Sequence, residues 1–368
     1  MDLKPTFTVV YKEINGSQIL TDVFVPPPDS INRSADGNPT RVPVIYIIHG
    51  GGWLMGHPSM NPKAQIEDAL ERGWIVLAPD HRLCPQVTIL DGPMGDIRSL
   101  HAWVHGGLLD AELKLRSIPL AAARDKIIAT GSASGGHGCL GLAFGDYTKD
   151  DSDGSAIPHP AAIIDMYAPK NFAHPWWTGP RDKLDVNVPP LTAGMERLVF
   201  EQHPVPSRVD LPTKPDSTGK IVLPENLDPS STKNEREDQA PSFTAARVAY
   251  ATNVITEHRL LDVCWPYPDN SQSAVSATEH YRPIDPILNV HAAWPPTCFL
   301  HGIDDNLLPH TVTTEPLVQA LEAEGARCKF IGIEGAKHMF VMSLAKGSRE
   351  WGRMKEAMDW VAEVIEGR

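Results

Sequence analysis

Three widely separated stretches hold residues whose types and spacing suit acyl chemistry. Directly after an apolar run, "HGGGW" (His49 to Trp53) sets three glycines in a row. Without Cβ atoms they let the backbone turn tightly and aim bare N–H groups into a cavity. Donors aimed at a developing oxyanion are worth about 3–4 kcal/mol each. Gly51 and Gly52 are the expected donors. In "HGIDDNLLP", Asp305 follows Gly302 by three positions at the end of another apolar run. Asp304 is adjacent and equally ionisable, but the Gly-x-x-Asp spacing and the Leu308-Pro309 that follows favour Asp305. "EGAKHMF" then places His338 in a loop after the last apolar run. A histidine there can take a proton from a nucleophile while a carboxylate fixes its tautomer and stabilises its cation.

The nucleophile is where the pattern breaks. "KIIATGSASGGHG" (126–138) reads as a strand, a glycine-bearing turn and a helix. A nucleophile on such a turn needs small residues two before and two after it, because the turn is strained and crowded. Ala133 has Gly131 and Gly135 at that spacing, so alanine occupies the apex. Ser134 then opens the helix, and its N–H completes the oxyanion hole with Gly51 and Gly52. A turn slipped by one residue would instead make Ser134 the nucleophile, between Ser132 and Gly136. Ser132 precedes the apex and is expected to point away from His338. A base, an acid and an oxyanion loop kept around one missing oxygen fit a Ser→Ala replacement in a working site. A native non-hydrolytic protein is the alternative.

The elements that must position these residues follow from periodicity. "TFTVVYKEINGSQILTDVFVPP" has two β-rich runs around Asn15-Gly16, a hairpin signal. Short, nearly continuous apolar runs at 42–50, 73–80, 126–131, 161–169, 295–302 and 327–335 suit strands buried on both faces. Helical segments are predicted around 61–72, 94–106, 134–146, 314–325 and 349–366. The last shows Trp351, Met354, Met358, Val361 and Ile365 at helical spacing. An antiparallel hairpin followed by alternating β and α elements predicts a doubly wound, mostly parallel α/β sheet. Residues 171–284 interrupt the alternation far beyond normal loop length. They hold a helical segment at 243–263 and a Pro-, Asp-, Ser- and Lys-rich stretch around 203–241.

The chain resembles an α/β-hydrolase of the hormone-sensitive-lipase-like (fold-3) esterase group. The resemblance rests on HGGGW at 49–53, "PDHRLCPQ" at 79–86, Asp96, the elbow at 131–136, HGIDD and GAKHMF. It runs through nearly all of the chain outside 171–284, and the order elbow, acid, histidine is that of the superfamily. It implies a core of residues 1–170 and 285–368 with 171–284 as a cap or lid. It also implies carboxyl-ester hydrolysis by a nucleophile at 133, with His338 and Asp305 and no cofactor. Relatives often build part of the cap from N-terminal helices, whereas this N-terminus reads as strands. Trp53 beside the glycines, with Trp176, Trp177 and Trp265 in the insertion, suggests a small to medium apolar or aromatic ester. A lactone or thioester is an equivalent substrate class. A cyclase, lyase or acyltransferase of a biosynthetic pathway and a ligand receptor on a hydrolase scaffold are the alternatives, although a receptor would be expected to lose His338.

Bulk properties narrow the field. With 42% hydrophobic residues among 368, the chain can bury a large core. A net charge of −13 opposes nucleic-acid binding, which needs a basic surface. No apolar run approaches the length of a membrane span. Five scattered cysteines and a start without signal-peptide features predict reduced thiols in the cytoplasm. His101 and His105 stand four apart on a predicted helix, but no third ligand is evident, so no metal is expected. His137, just after the elbow, is expected to pack in its helix. The glycines of 131–136 lack a following Gly-Lys-Ser/Thr, which excludes a phosphate loop. The expected partner is a small molecule, and a homodimer stays open.

Overall fold

The computed structural model describes residues 3–31, 37–145, 156–179, 188, 190–209, 214–215, 221–222, 242–268 and 275–368. The chain opens with β1 (Phe7–Ile14) and β2 (Ser17–Phe24), joined at Asn15 and Gly16, whose φ angles of 48° and 78° match a tight hairpin turn. There follow β3 (Thr40–Ile48), α1 (Lys63–Glu71), β4 (Ile75–Pro79), α2 (Gly95–His105), α3 (Leu108–Leu115), β5 (Leu120–Ser132), α4 (Ser134–Leu140) and β6 (Ala162–Met166). The interval 171–284 contributes α5 (Ala193–Phe200), the two-residue pair β7 (Lys214–Pro215) and β8 (Ile221–Val222), α6 (Phe243–Thr256), α7 (Leu260–Cys264) and α8 (Ala277–Tyr281). The chain closes with β9 (Thr297–Gly302), α9 (Thr314–Ala323), β10 (Cys328–Ile333) and α10 (Arg349–Ile365).

Eight strands form one sheet in the order β1-β2-β4-β3-β5-β6-β9-β10. β1 and β2 pair antiparallel, β2 meets β4 antiparallel, and β4, β3, β5, β6, β9 and β10 run parallel. Alternate residues of β3 serve opposite faces. Val44, Tyr46 and Ile48 join the core that holds Leu100, Leu109 and Leu317, while Ile45 and Ile47 join Ile66, Met354 and Val361. Helices therefore cover both faces of an α/β sheet, as the apolar runs require. β3 is flanked by β4 on one side and β5 on the other, so the strand order reverses there. Ligands of such sheets bind outside the carboxyl ends of strands at that point.

Four local differences from the sequence reading have physical causes. β5 begins at Leu120, because Leu120–Ala122 pair with Thr40–Val42 before a register shift around the polar Arg124–Lys126. α3 was not predicted: eight residues starting right after two glycines blur the 3.6 period. The predicted helix 243–263 is two helices, broken where His258 adopts φ 59°. The predicted helix 134–146 is α4 followed by a 3₁₀ turn at Gly141–Ala143. Most of the Pro- and Asp-rich stretch around 203–241 lies outside the described residues.

The insertion is tied to the core through Arg247 of α6, a fully buried cation. Its guanidinium donates to the carbonyls of Leu54 (3.2 Å) and Cys84 and to Gln86 Oε1 (2.9 Å). Buried charges need such partners, since transfer from water without them is costly. Asp96, at the start of α2, serves the core in the same way. It receives Lys12 Nζ at 2.7 Å, Arg82 Nη2 at 2.8 Å and the Arg82 backbone N–H at 2.7 Å.

Candidate active site

Five strands of the sheet, β3, β5, β6, β9 and β10, each deliver one part of the site at the carboxyl end. After β3, Gly51 and Gly52 take φ angles of 124° and 63°. A Cβ on Gly51 would lie 2.7 Å from the carbonyl carbon of Met55, so only glycine fits this turn. Gly52 faces the insertion: a Cβ there would stand 3.3 Å from Ile255 and 3.4 Å from Leu260, the residues flanking the α6–α7 corner. Trp53 follows at φ 62°, fully buried, with an edge-on contact to His137 at 5.3 Å. Trp53 Nε1 has no hydrogen-bond partner among the described residues.

After β5, Ala133 stands at φ 48° and ψ −122°. Such backbone costs a non-glycine residue about 1–3 kcal/mol and persists where the surroundings enforce it. Here the Ala133 N–H donates to Met166 O at 2.9 Å, and its carbonyl accepts from His137 N–H at 3.2 Å. Gly131 and Gly135 pass so close that a Cβ on Gly131 would lie 2.6 Å from Gly135 O. The small residues two before and two after position 133 are thus a packing requirement. Ser134, the first residue of α4, is buried, and its Oγ has no partner among the described residues. Its N–H belongs to the first turn of a helix, where no intrahelical acceptor exists.

After β9 and β10 come Asp305 and His338. His338 Nδ1 donates to Asp305 Oδ2 at 2.7 Å. Asp305 is buried, and its Oδ1 also accepts the N–H groups of Leu307 (3.0 Å) and Leu308 (2.9 Å). Burial by itself would raise the Asp305 carboxyl, but the His338 and His301 side chains outweigh it and hold the group well below the usual carboxylate range. Asp304 is exposed. Of the two adjacent acids, Asp305 is the one bonded to the histidine.

Ala133, Ser134, Gly51, Gly52, Trp53, Trp176, Trp177 and His338 line one cavity of about 100 Å³. Met55, Met60, Met339 and Met342 add thioether surface to it, and among the described residues no Lys, Arg, Asp or Glu contributes to its wall. Trp265 is not part of this wall. Its indole N–H donates to His280 O at 3.0 Å and its carbonyl pairs with His280 Nε2 at 3.2 Å, which ties α7 to α8. The substrate contact expected of Trp265 is therefore corrected to an internal contact of the insertion. Ser132 also departs from expectation, since it lines the cavity, where its hydroxyl bonds that of Tyr167.

Three contributors escaped the sequence reading. Tyr167, just past β6, sits at φ 46° with its ring edge-on to His338 at 4.7 Å. His301 on β9 stands 3.2 Å from Asp305 Oδ2 and donates Nε2–H to Leu308 O at 2.8 Å. His258, at the α6–α7 corner, is the insertion's ionisable residue in the cavity wall among the described residues. Tyr167 and His301 end apolar runs, where periodicity reads only core. His137 is packed away, its Nε2 bonded to Ile284 O at 2.7 Å, and burial lowers its pKa to about 4. His101 is bonded to Tyr46 Oη (3.1 Å) and Pro158 O (2.8 Å), so both of its ring nitrogens are taken by the protein.

The comparisons with known proteins bear on the fold. Residues 33–183 match the family model BD-FAE. Esterase 2 of Thermogutta terrifontis phosphoramylated by tabun superimposes with a TM-score of 0.56 at 17% identity, covering 97% of this chain and 94% of that one. The butyrate-bound form of the same esterase gives 0.56 at 18% identity, with the same coverage. At such identities the likeness speaks for the fold. Among curated proteins, the non-reducing polyketide synthase ausA of Aspergillus calidoustus is 26% identical over 351 residues, 92% of this chain and 13% of that protein. The non-reducing polyketide synthase ascC of Acremonium egyptiacum is 27% identical over 354 residues, 94% of this chain and 15% of that protein. The chain thus spans about one-seventh of the length of these relatives. With its eight-stranded, mostly parallel sheet, the chain shares the α/β-hydrolase fold of these esterase structures.

Proposed function

We propose that this site is built for acyl transfer from a small, uncharged carboxylic ester or thioester, with residue 133 as the nucleophile position. The observation that carries the reading is the 2.7 Å His338–Asp305 bond in a cavity shared with the strained Ala133. A serine at 133 would attack the acyl carbon and pass its proton to His338 Nε2, which later protonates the leaving group. Asp305 would hold the imidazole with its proton on Nδ1. The N–H groups of Gly51, Gly52 and Ser134 would receive the oxyanion. Residues 1–170 and 285–368 act as the core and 171–284 as a cap, with Trp53, Trp176 and Trp177 contacting an apolar or aromatic group. As alanine stands at 133, the present chain binds such substrates without forming an acyl-enzyme. No cofactor enters this chemistry. The five free cysteines suit a reducing compartment such as the cytoplasm.

The polyketide synthase relatives, aligned over more than 90% of the chain, favour a polyketide acyl ester or thioester among these substrates. The test is Ala133→Ser, assayed on short p-nitrophenyl esters and with a serine-directed phosphonate. Removal of a nucleophile costs on the order of 10⁶ in kcat, so restoration is expected to produce hydrolysis and labelling absent from the parent. Labelling of the parent chain would move the nucleophile to Ser134. A folded but unlabelled Ala133→Ser protein would refute the reading.

A further inference from the structure

We propose that, with alanine at 133, this site catalyses proton transfer at carbon on an uncharged β-dicarbonyl ester, His338 Nε2 taking the proton from the carbon between the two carbonyls. The inference rests on the roles given above to His338 and the oxyanion loop, and adds a reaction that needs no serine. Asp305 accepts the proton-bearing Nδ1 of His338 at 2.7 Å, which leaves Nε2 as the basic nitrogen. In a serine hydrolase that lone pair is engaged by the nucleophile's hydroxyl. Here Ala133 carries no hydroxyl on its Cβ, and the lone pair is left for the substrate.

The remaining surroundings suit a carbanion. Among the described residues, the cavity wall contributes no carboxylate to repel an enolate and no lysine or arginine to bind an anionic substrate. Gly51, Gly52 and Ser134 line the same cavity, and their N–H groups would receive the enolate oxygen as they would that of a tetrahedral intermediate. An imidazole is a weak base, so the carbon acid must be one activated by two carbonyl groups. The C–H bond breaks as the N–H bond forms on Nε2, and its electron pair becomes the enolate π pair. Return of a solvent proton regenerates the substrate, so no oxidant, reductant or leaving group is required.

The experiment follows loss of the methylene proton signal of ethyl benzoylacetate in D₂O by NMR, with stoichiometric protein. General-base catalysis typically contributes 10²–10⁴-fold, so the parent chain is expected to exchange at least about 10²-fold faster than His338→Gln. Asp305→Asn serves as a second variant and is expected to slow exchange by misplacing the imidazole proton. Urea unfolding of each variant confirms that a folded protein is being compared. Equal exchange by parent and His338→Gln would overturn the inference. If Ala133→Ser then hydrolyses nitrophenyl esters, the acyl site stands and only the proton-transfer reaction fails. If Ala133→Ser is also inert, both fail.

Discussion

Substituting alanine for Gly135 and for Gly138 makes the same chemical change on one short helix, with opposite expected results. A Cβ on Gly135 would lie 2.5 Å from His49 O and nearer still to Ile48 O, both backbone atoms of the β3 end. Real Cβ atoms do not approach under 3.0 Å, so α4 must retreat from β3 by at least about 0.5 Å. Overpacking of this kind costs about 1–3 kcal/mol. Backbone that cannot yield puts the loss at the upper end. A Cβ on Gly138 would meet only Ile97 Cγ1 at 3.5 Å, ordinary contact, and alanine is preferred to glycine in a helix by about 0.5–1 kcal/mol. Urea unfolding is therefore expected to show Gly135→Ala destabilised and Gly138→Ala unchanged or stabilised. The first also shifts residues 133 and 134, because they open the displaced helix. In an Ala133→Ser background, a misplacement approaching 1 Å is expected to lower esterase turnover by about 10²-fold, with Gly138→Ala nearly unaffected. Equal urea midpoints for Gly135→Ala and the parent would refute the packing argument.

Two further outcomes are expected. Asp96→Asn removes the charge that faces Arg82 and Lys12 in the core, and breaking a buried pair costs about 3–5 kcal/mol; a loss under about 1 kcal/mol in urea would contradict it. Burial lowers His101 to about 3 and His137 to about 4, against about 6.5 in an unfolded chain. The unfolded state therefore takes up protons that the folded state refuses. Stability should be fully present above about pH 6.5 and fall as acid is added towards pH 4, each histidine contributing up to about 1.4 kcal/mol per pH unit. Urea midpoints that do not change between pH 7.5 and pH 5 would contradict this.

What could be read from the sequence divides along physical lines. Glycine turns, a Gly-x-x-Asp step and a loop histidine carry their geometry locally, so Asp305 was separable from Asp304 and position 133 from its serine neighbours. The six parallel strands were visible because burial on both faces removes polar residues from them. Long-range orientation was not legible. Trp265 and Trp177 are both insertion tryptophans, yet one binds α8 internally and the other faces the cavity. Tyr167 and His301 contact His338 and Asp305 from strand ends whose apolar pattern describes only their neighbours. The break at His258 needs a left-handed backbone at a residue without a glycine signal.

The Arg247 contacts and the packing of Ile255 and Leu260 on Gly52 bear on how such a protein can diversify. Insertions are usually regarded as exchangeable modules that tune selectivity while the catalytic framework stays constant. In this chain the graft and the framework share contacts: the Leu54 carbonyl just beyond HGGGW and the Cys84 carbonyl are the acceptors of a cation on α6. Swapping the insertion for a foreign one would strand those acceptors and bare the glycine turn. With 171–284 acting as the cap proposed above, selectivity and site geometry would be inherited together, and lineages that reshape one would have to rewrite the other.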